Sequence, residues 1–268
     1  MSSPIPIGLN LASIGVEAAW WLRAARRVEE AGLGSAWIWD HFVSRGRRTD
    51  PVLECWSMLA AAAVRTERIR LGSFVTNVMN RHPAVLARIV ATTSELSGRR
   101  LELGIGAGGH PAEHHAYGMA FPAGSERAAR LDEAITLLRL LLAGGPADFE
   151  GRYYRLEDAH AFPAPVPAPR IIVAGESPVG TRLAARRGDA WTCFASRFDE
   201  LLPAFEAELA EAGRRRSDVS IVVGIEVEDL GVDLDELAAG WHERGADELI
   251  VHEVRPEQLE AILAMAGD

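Results

Sequence analysis

The sequence predicts a (β/α)8 TIM barrel, an α/β fold in which eight parallel strands alternate with helices. Short apolar runs alternate with amphipathic patterns along the 268 residues, as expected for strands buried on both faces and for the helices that cover them. One strand–helix unit recurs about every 30 residues, which is the usual spacing in such a barrel. The predicted strands are 5–11, 35–40, 69–76, 100–105, 170–174, 190–194, 220–227 and 248–254.

A doubly wound open sheet shows the same alternation and is the competing architecture. Six strands would suffice for that sheet, so the two additional units favour the barrel. The long interval between the fourth and fifth strands predicts an insertion, within which 148–164 forms a small hairpin or a loop. We expect residues 1–268 to form one domain.

Helix patterns, with residues that typically end a helix, lie between the predicted strands. Trp21, Ala25 and Val28 share one helical face, and Gly32 ends that helix. The apolar stripe from Leu131 to Leu142 predicts a longer helix, which Gly144 and Gly145 end.

Helix starts are marked by proline and by a capping box. Pro83, Pro178 and Pro256 each suit the first position of a helix. Asp233 with Glu236 has the spacing of a capping box.

Composition excludes several classes of function. The 28 basic residues are all arginine, so lysine Schiff-base chemistry and a P-loop are both excluded. The net charge of −10 argues against binding to nucleic acid. No apolar run reaches the roughly 18 residues of a membrane span.

The expected location is the cytoplasm. The first residues, MSSPIPIGLN, show no features of a secretory signal. Cys55 and Cys193 have neither CxxC nor zinc-like spacing, and we expect both thiols to be reduced.

The carboxyl ends of the predicted strands are polar, and barrel enzymes keep their chemistry at these ends. Asp40 and His41 close the second strand. An imidazole there can move a proton near neutral pH, or the pair can simply bond to loop backbone.

A glycine loop and two histidines follow the fourth strand. Residues 104–109, GIGAGG, satisfy G-x-G-x-x-G, but no strand ending in an acid follows about 20 residues later, so a loop against a flat ligand is the better interpretation. His110, Glu113 and His114 match H-x-x-E-H, but no third ligand is evident, so no metal site is predicted.

Ser177 and Pro178 follow Gly175 at the end of the fifth strand. Serine is a good N-cap and proline suits the next position, so the N–H groups of this helix would face the barrel mouth. Thr181 adds a hydroxyl one turn later. This arrangement predicts a phosphate site without lysine, with plain helix capping as the alternative.

Together these pieces resemble the luciferase-like flavin and deazaflavin oxidoreductases, in particular the branch that uses coenzyme F420. The resemblance covers nearly the whole chain. Its carriers are WIWDHF (37–42), RLGSFVTNVMNRHPAVLARIVATTSELSGRRLELGIGAG (70–108), EHHAYG (113–118), FEGRYYRLEDA (149–159) and RLAARRGDAW (182–191).

The resemblance implies a cofactor site in the barrel mouth. Asp40 and His41 would lie beside the cofactor ring, and a non-proline cis peptide would join Ser73 to Phe74, next to Val75 and Thr76. The ring and ribityl chain of the cofactor would lie against Gly106, Ala107 and Gly108. The cofactor phosphate would be held by Gly175, Glu176, Ser177 and Thr181. Relatives often carry an aromatic residue where this chain has Gly109, which enlarges the pocket or loosens the loop.

The resemblance also implies hydride transfer between F420 and a small organic substrate. His41 would handle the substrate proton, with Asp40 as its electrostatic partner or as a ligand of the ring. Two alternatives remain: an FMN-dependent monooxygenase that works with a separate reductase, and a non-catalytic flavin-binding barrel. We also expect a homodimer.

Overall fold

The computed structural model describes residues 4–231 and 233–266, which form a closed barrel of eight parallel strands. The strands follow one another around the barrel in the order β1-β10-β9-β8-β7-β4-β3-β2. Two further strands, β5 and β6, form an antiparallel hairpin. The bounds are β1 (Ile7–Leu11), β2 (Ser35–Ile38), β3 (Arg70–Asn77), β4 (Leu101–Gly106), β5 (Ala147–Glu150), β6 (Arg155–Ala159), β7 (Ile171–Ala174), β8 (Ala190–Phe194), β9 (Ser220–Glu226) and β10 (Glu248–Val254).

The predicted barrel is confirmed, and the open sheet is wrong because each of the eight strands has two neighbours and the first and last of them, β1 and β10, pair to close the ring. The predicted strands 190–194 and 248–254 coincide with β8 and β10. The predicted strands β1 and β2 are each two residues too long: β1 begins at Ile7 rather than at residue 5, and β2 ends at Ile38 rather than at residue 40. Asp40 and His41 therefore belong to the loop that leaves the strand.

Helices cover the outside of the barrel. Their bounds are α1 (Ala18–Glu30), α2 (Cys55–Ala63), α3 (Pro83–Leu96), α4 (Pro111–Ala116), α5 (Gly124–Leu142), α6 (Pro178–Arg187), α7 (Phe198–Glu211), α8 (Leu234–Glu243) and α9 (Pro256–Met265). Pro83, Pro178 and Pro256 begin α3, α6 and α9, as predicted. The Asp233 carboxylate caps α8 by accepting the N–H groups of Asp235 and Glu236.

The longest connection between barrel strands runs from β4 to β7. It contains α4, α5 and the β5–β6 hairpin, so the predicted segment 148–164 forms a hairpin rather than a loop. Within the two described ranges, no helix is both long enough and apolar enough to cross a bilayer.

A layer of paired charges closes the amino-terminal end of the barrel lumen. Arg70 binds Glu102 and Glu248 at 2.7 Å each, and Arg170 binds the same two carboxylates at 2.7 and 2.6 Å. Burial alone would lower the pKa of Arg70, but the two carboxylates raise it. Because these two arginines and two glutamates are mutually paired, the layer has no net charge.

Trp37 fills the lumen above this layer. Its indole N–H donates to Ser35 Oγ at 2.7 Å, and Ser35 in turn donates to Glu248. A Cβ at Gly72 on the neighbouring strand would lie 2.1 Å from Cζ3 of Trp37, so the ring fits only against glycine. Five other buried residues complete this inner cluster: Phe74, Ile172, Ala190, Val222 and Ile250.

We predict that Gly72→Ala destabilises the barrel, because the added methyl overlaps a ring that other bonds hold in place. Overpacking of this kind lowers the free energy of unfolding by about 1–3 kcal/mol. Gly240→Ala is the matched control, since Gly240 lies in α8 and, among the described residues outside the backbone of that helix, no atom is within 4 Å of its added Cβ. That change should be neutral or stabilising by up to about 1 kcal/mol. Urea denaturation followed by circular dichroism measures both, and equal midpoints would contradict the packing argument.

We also predict that Glu248→Gln destabilises the chain by about 3–5 kcal/mol, the usual range when one partner of a buried ion pair is removed. The change leaves Arg70 and Arg170 sharing a single carboxylate. Glu260→Gln is the control, because Glu260 pairs with Arg27 at 2.8 Å on the surface and exposed pairs contribute roughly 0–1 kcal/mol. The same denaturation experiment compares them, and similar losses in both would show that the buried layer is not special.

Candidate active site

A cavity of about 510 Å³ opens at the carboxyl ends of the barrel strands. This volume lies within the usual range of about 300–1,000 Å³ for small-molecule sites. Most of the residues predicted for the site line it together: Asp40, His41, Phe74, Val75, Thr76, Gly106, Ala107, Gly108, Gly175, Glu176 and Ser177.

Ser73 and Thr181 were predicted for the site but lie behind its wall. Ser73 Oγ donates to the Gly104 carbonyl and accepts from Thr76 Oγ1, both at 2.8 Å. Thr181 Oγ1 donates to the Gly175 carbonyl at 3.3 Å. Both hydroxyls therefore hold the wall in place from inside the protein.

The non-proline cis peptide joins Phe74 to Val75, so the expected position between Ser73 and Phe74 is wrong by one residue. Ser73 still pairs with Leu103, and regular pairing resumes at Thr76 opposite Ile105. The chain can therefore leave the strand ladder only after Ser73. At this bulge Phe74 belongs to the lumen cluster and Val75 packs against it, and both residues also line the cavity.

The Asp40 carboxylate binds Arg81 rather than His41, so the expected electrostatic pairing of Asp40 with His41 is not what the structure shows. Arg81 donates to both carboxylate oxygens at 2.7 and 2.9 Å. The Asn77 N–H and the Asn80 side chain donate at 3.1 and 3.2 Å. The buried carboxylate thus fixes the loop after β2 against the loop after β3.

Glu113 is the partner of His41, and the sequence did not predict this pair. His41 Nδ1 lies 3.2 Å from Glu113 Oε2, and the Phe42 N–H donates to the same oxygen at 3.1 Å. Arg45 lies 3.3 Å from the other ring nitrogen, Nε2. Because an arginine can only donate, Nε2 is the acceptor and Nδ1 carries the proton that binds Glu113.

Glu113 is fully buried. Burial alone would raise its pKa, but the hydrogen bonds from His41 and from the Phe42 N–H outweigh it and lower the pKa below its ordinary value. The carboxylate is therefore ionised at neutral pH. The glutamate of the H-x-x-E-H motif thus orients His41.

The glycine loop after β4 forms one side of the cavity. Gly108 has a φ of +80°, and a Cβ there would lie 2.4 Å from Asn77 Oδ1. Asn77 is itself fixed, because its Oδ1 accepts the Met79 N–H at 2.9 Å. Only glycine fits this position, and it leaves bare backbone facing the cavity.

The first turn of α6 forms the side of the cavity beyond β7. Ser177 Oγ accepts the Gly180 N–H at 3.2 Å, which confirms the predicted N-cap. Glu176 points its carboxylate at the Phe194 N–H, 3.0 Å away. The helix has ten residues, so its amino-terminal end offers an environment that favours an anion.

The predicted site set omitted an aromatic group in the cavity wall. The His252 ring packs against Trp39, Phe74 and Phe194 at centroid distances of 4.8, 6.2 and 4.6 Å. His252 Nε2 accepts from the Trp39 indole at 2.9 Å. Burial lowers the pKa of His252 to about 4, so this ring is neutral at physiological pH. Strand-end position was its only sequence signal.

Two residues of β8 were also omitted. Cys193 lines the cavity, and burial raises the pKa of its thiol to about 12, so it is not a nucleophile at neutral pH. Thr192 also lines the cavity and is 3% exposed. Its hydroxyl has no hydrogen-bond partner among residues 4–231 and 233–266. An unpaired buried hydroxyl on a residue of the cavity wall is a candidate hydrogen-bond partner for a bound ligand.

These features fit the flat ring and phosphate that the family resemblance implies. Bare backbone at Gly108 and the Val75 bulge leave room for a planar group, and the unpaired Thr192 hydroxyl offers it a hydrogen bond. The amino-terminal end of α6 suits a phosphate. His41 Nε2 is then the group in the wall that can accept a proton.

One similar protein is the F420-dependent glucose-6-phosphate dehydrogenase of Intrasporangium calvum. The two sequences are 37% identical over 221 residues, which are 80% of this chain and 65% of the relative. This chain thus spans slightly less than two thirds of the length of that relative.

Two solved structures share the whole fold. An F420-dependent secondary alcohol dehydrogenase in complex with an F420–acetone adduct superposes with a TM-score of 0.85 at 21% identity, over 98% of this chain and 99% of that one. The coenzyme F420-dependent tetrahydromethanopterin reductase of Methanopyrus kandleri gives 0.81 at 19% identity, over 98% and 97%. At this level of identity, the likeness shows the fold alone.

The family model described as luciferase-like monooxygenase matches residues 10–228, from β1 to the residues that follow β9. This match covers the loops after β2, β3, β4, β7 and β8, and it agrees with the similarity to the Intrasporangium protein. The chain belongs to the luciferase-like monooxygenase family.

Proposed function

We propose that this protein is an F420-dependent oxidoreductase that exchanges a hydride between the deazaflavin and a small organic substrate. The observation that carries the proposal is the Glu113–His41 pair at the edge of a cavity whose glycine wall and α6 terminus suit such a cofactor. The names of the relative and of the two structural neighbours support the choice of F420. A homodimer and a cytoplasmic location belong to the same proposal.

The bound cofactor supplies the hydride acceptor or donor. Around it, Val75 and the backbone at Gly106, Ala107 and Gly108 would hold the ring, and Thr192 would donate to it. Ser177 and the first turn of α6 would hold the phosphate. Asp40 acts at a distance, because its carboxylate positions the loop that carries His41.

His41 would move the substrate proton. Its Nδ1–H is held by the ionised Glu113, so the lone pair of Nε2 lies on the other side of the ring, at the cavity. When the substrate is oxidised, Nε2 accepts the hydroxyl proton as the hydride leaves carbon, and Glu113 stabilises the resulting imidazolium. In reduction, the same nitrogen returns the proton.

We predict that the protein binds F420 more tightly than FMN, measured by titration with each cofactor while its fluorescence is followed. Gly108→Ala should weaken F420 binding by at least tenfold, since the new Cβ displaces Asn77 or the loop. Gly240→Ala on the distant helix α8 is the control and should bind F420 like the wild type. Tight FMN binding without F420 binding would instead support the monooxygenase alternative.

We also predict that His41→Ala lowers turnover by roughly 10²–10⁴, the usual contribution of general acid–base catalysis. F420 affinity should change much less, because the ring and phosphate contacts remain. His115→Ala, which removes an exposed histidine of α4, is the matched control and should keep full turnover. Assays of F420 reduction with glucose 6-phosphate and with secondary alcohols would measure both.

Unchanged turnover in folded His41→Ala would remove His41 from the mechanism. Lost stability with normal turnover per folded molecule would make it a structural residue. Absence of F420-dependent oxidation with F420 bound would favour a non-catalytic binding barrel.

A further inference from the structure

Arg45 brings a cationic side chain to the rim of the cavity, next to the proposed proton-transfer group. It lies in the loop after β2 and lines the cavity. Its guanidinium donates to His41 Nε2 at 3.3 Å, and its carbon Cζ lies 5.3 Å from the centre of the Trp39 ring. The side chain is thus held over the site by one hydrogen bond to a neutral nitrogen and by one aromatic face.

Arg45 forms no ion pair within the described ranges 4–231 and 233–266. Two other arginines near Arg45, one in sequence and one in space, do form ion pairs. Arg47 pairs with Asp50 at 3.2 Å, and Arg81 pairs with Asp40 at 2.7 Å. Arg45 is therefore a solvent-exposed cation without a paired carboxylate among the described residues; Arg48 of the same loop is another, but only Arg45 lines the cavity.

The nearby carboxylates are already bonded to other groups. Asp40 is held by Arg81, Glu113 by His41 and the Phe42 N–H, and Glu176 by the Phe194 N–H. Burial lowers the pKa of His110 and His252; Arg45 lowers both further, whereas Glu113 raises the pKa of His110 and Glu253 raises that of His252. Asp40, Glu113 and Glu176 each have a partner other than Arg45.

We infer that the substrate of this site carries an anionic group, a carboxylate or a phosphate, which binds Arg45. The inference rests on the proposed function and narrows its substrate class. An anion offers Arg45 a charge-assisted hydrogen bond, which is stronger than its present bond to a neutral ring nitrogen. Arg45 then leaves His41 Nε2, so binding of the anionic substrate also frees the proton acceptor.

Arg45 shares its cavity with the open position at Gly109. Both residues line the cavity. Among the described residues other than its chain neighbours, no atom lies within 4 Å of a Cβ added at Gly109, so the cavity has free space at this part of the glycine loop.

The cofactor phosphate has a separate place in the barrel. Ser177 follows β7, whereas Arg45 follows β2, and β3 and β4 lie between these strands on the shorter way around the ring. In this proposal the substrate anion binds at Arg45 and the cofactor phosphate binds at the α6 terminus, two positions in the wall of the same cavity. Variants at the two positions can separate the two sources.

The first test measures binding of inorganic phosphate to the protein without cofactor, at constant ionic strength. The readout is the fluorescence of Trp39, obtained as the difference between wild type and Trp39→Phe because the chain has seven tryptophans. We expect a saturable change whose phosphate affinity falls roughly ten- to hundredfold in Arg45→Met. Arg48→Met removes an exposed cation of the same loop that does not line the cavity, and it should bind like the wild type.

The outcomes of this titration are distinct. Loss of the signal in Arg45→Met with retention in Ser177→Ala supports the inference. Loss in Ser177→Ala with retention in Arg45→Met would place the anion at α6 and overturn it, as would the absence of any saturable change. None of these results depends on whether the protein oxidises a substrate.

The second test compares matched substrates in the F420-loaded protein: glucose 6-phosphate against glucose, and lactate against lactamide. We expect kcat/KM to favour the anionic member of the pair that is oxidised, and Arg45→Met to reduce that preference roughly ten- to hundredfold. Arg48→Met should keep it. A wild-type preference for the neutral member would overturn the inference while leaving the proposed hydride transfer intact.

Discussion

The remaining structure depends on one constraint: the space inside the ring of strands has to be filled. A parallel barrel of this size holds side chains rather than a channel, and every inward position must be filled or paired. Here the lumen is filled in layers, with four paired charges at the amino-terminal end and Trp37 above them. Phe74 completes the packed part. The cavity is the portion of the lumen that the protein leaves open above this cluster.

This layering explains why the wall of the cavity is preformed. Phe74 and Val75, at the bulge, line the cavity and also contact the packed cluster beneath it. The hydroxyls of Ser73 and Thr76 bond to each other, and Ser73 also bonds to the neighbouring strand β4. The wall is thus shaped by contacts inside the protein. A ligand that enters it meets positioned groups, and little ordering is needed on binding.

The sequence predicted the architecture well because strand and helix periodicities act locally. Pro83, Pro178, Pro256 and Asp233 mark helix starts through properties of single residues. The site was predicted less completely, because its contacts join distant segments. Nothing near His41 in sequence shows that Glu113, 72 residues later, is its partner.

The remaining differences between the predicted and the observed site concern side-chain partners and strand register. Asp40 and His41 are adjacent in sequence, but their side chains take different partners, so adjacency suggested a pair that does not form. Thr192 and His252 lie within β8 and β10 and carry no motif. The cis peptide depends on where β3 leaves its ladder with β4, and that register is not visible in one strand alone.

Arg81 has a further consequence, because it holds both ends of the loop that carries Arg45. It binds Asp40, where the loop leaves β2, and Glu54, which caps α2, where the loop ends. The two ends of the loop are therefore fixed by one guanidinium, while residues 45–49, the middle of the loop, are exposed to solvent. Changes in the middle of the loop need not move His41, which lies beside the fixed end at Asp40. A barrel built in this way can acquire a new substrate preference by exchanging a few residues in the middle of the loop, while its proton-transfer geometry stays the same.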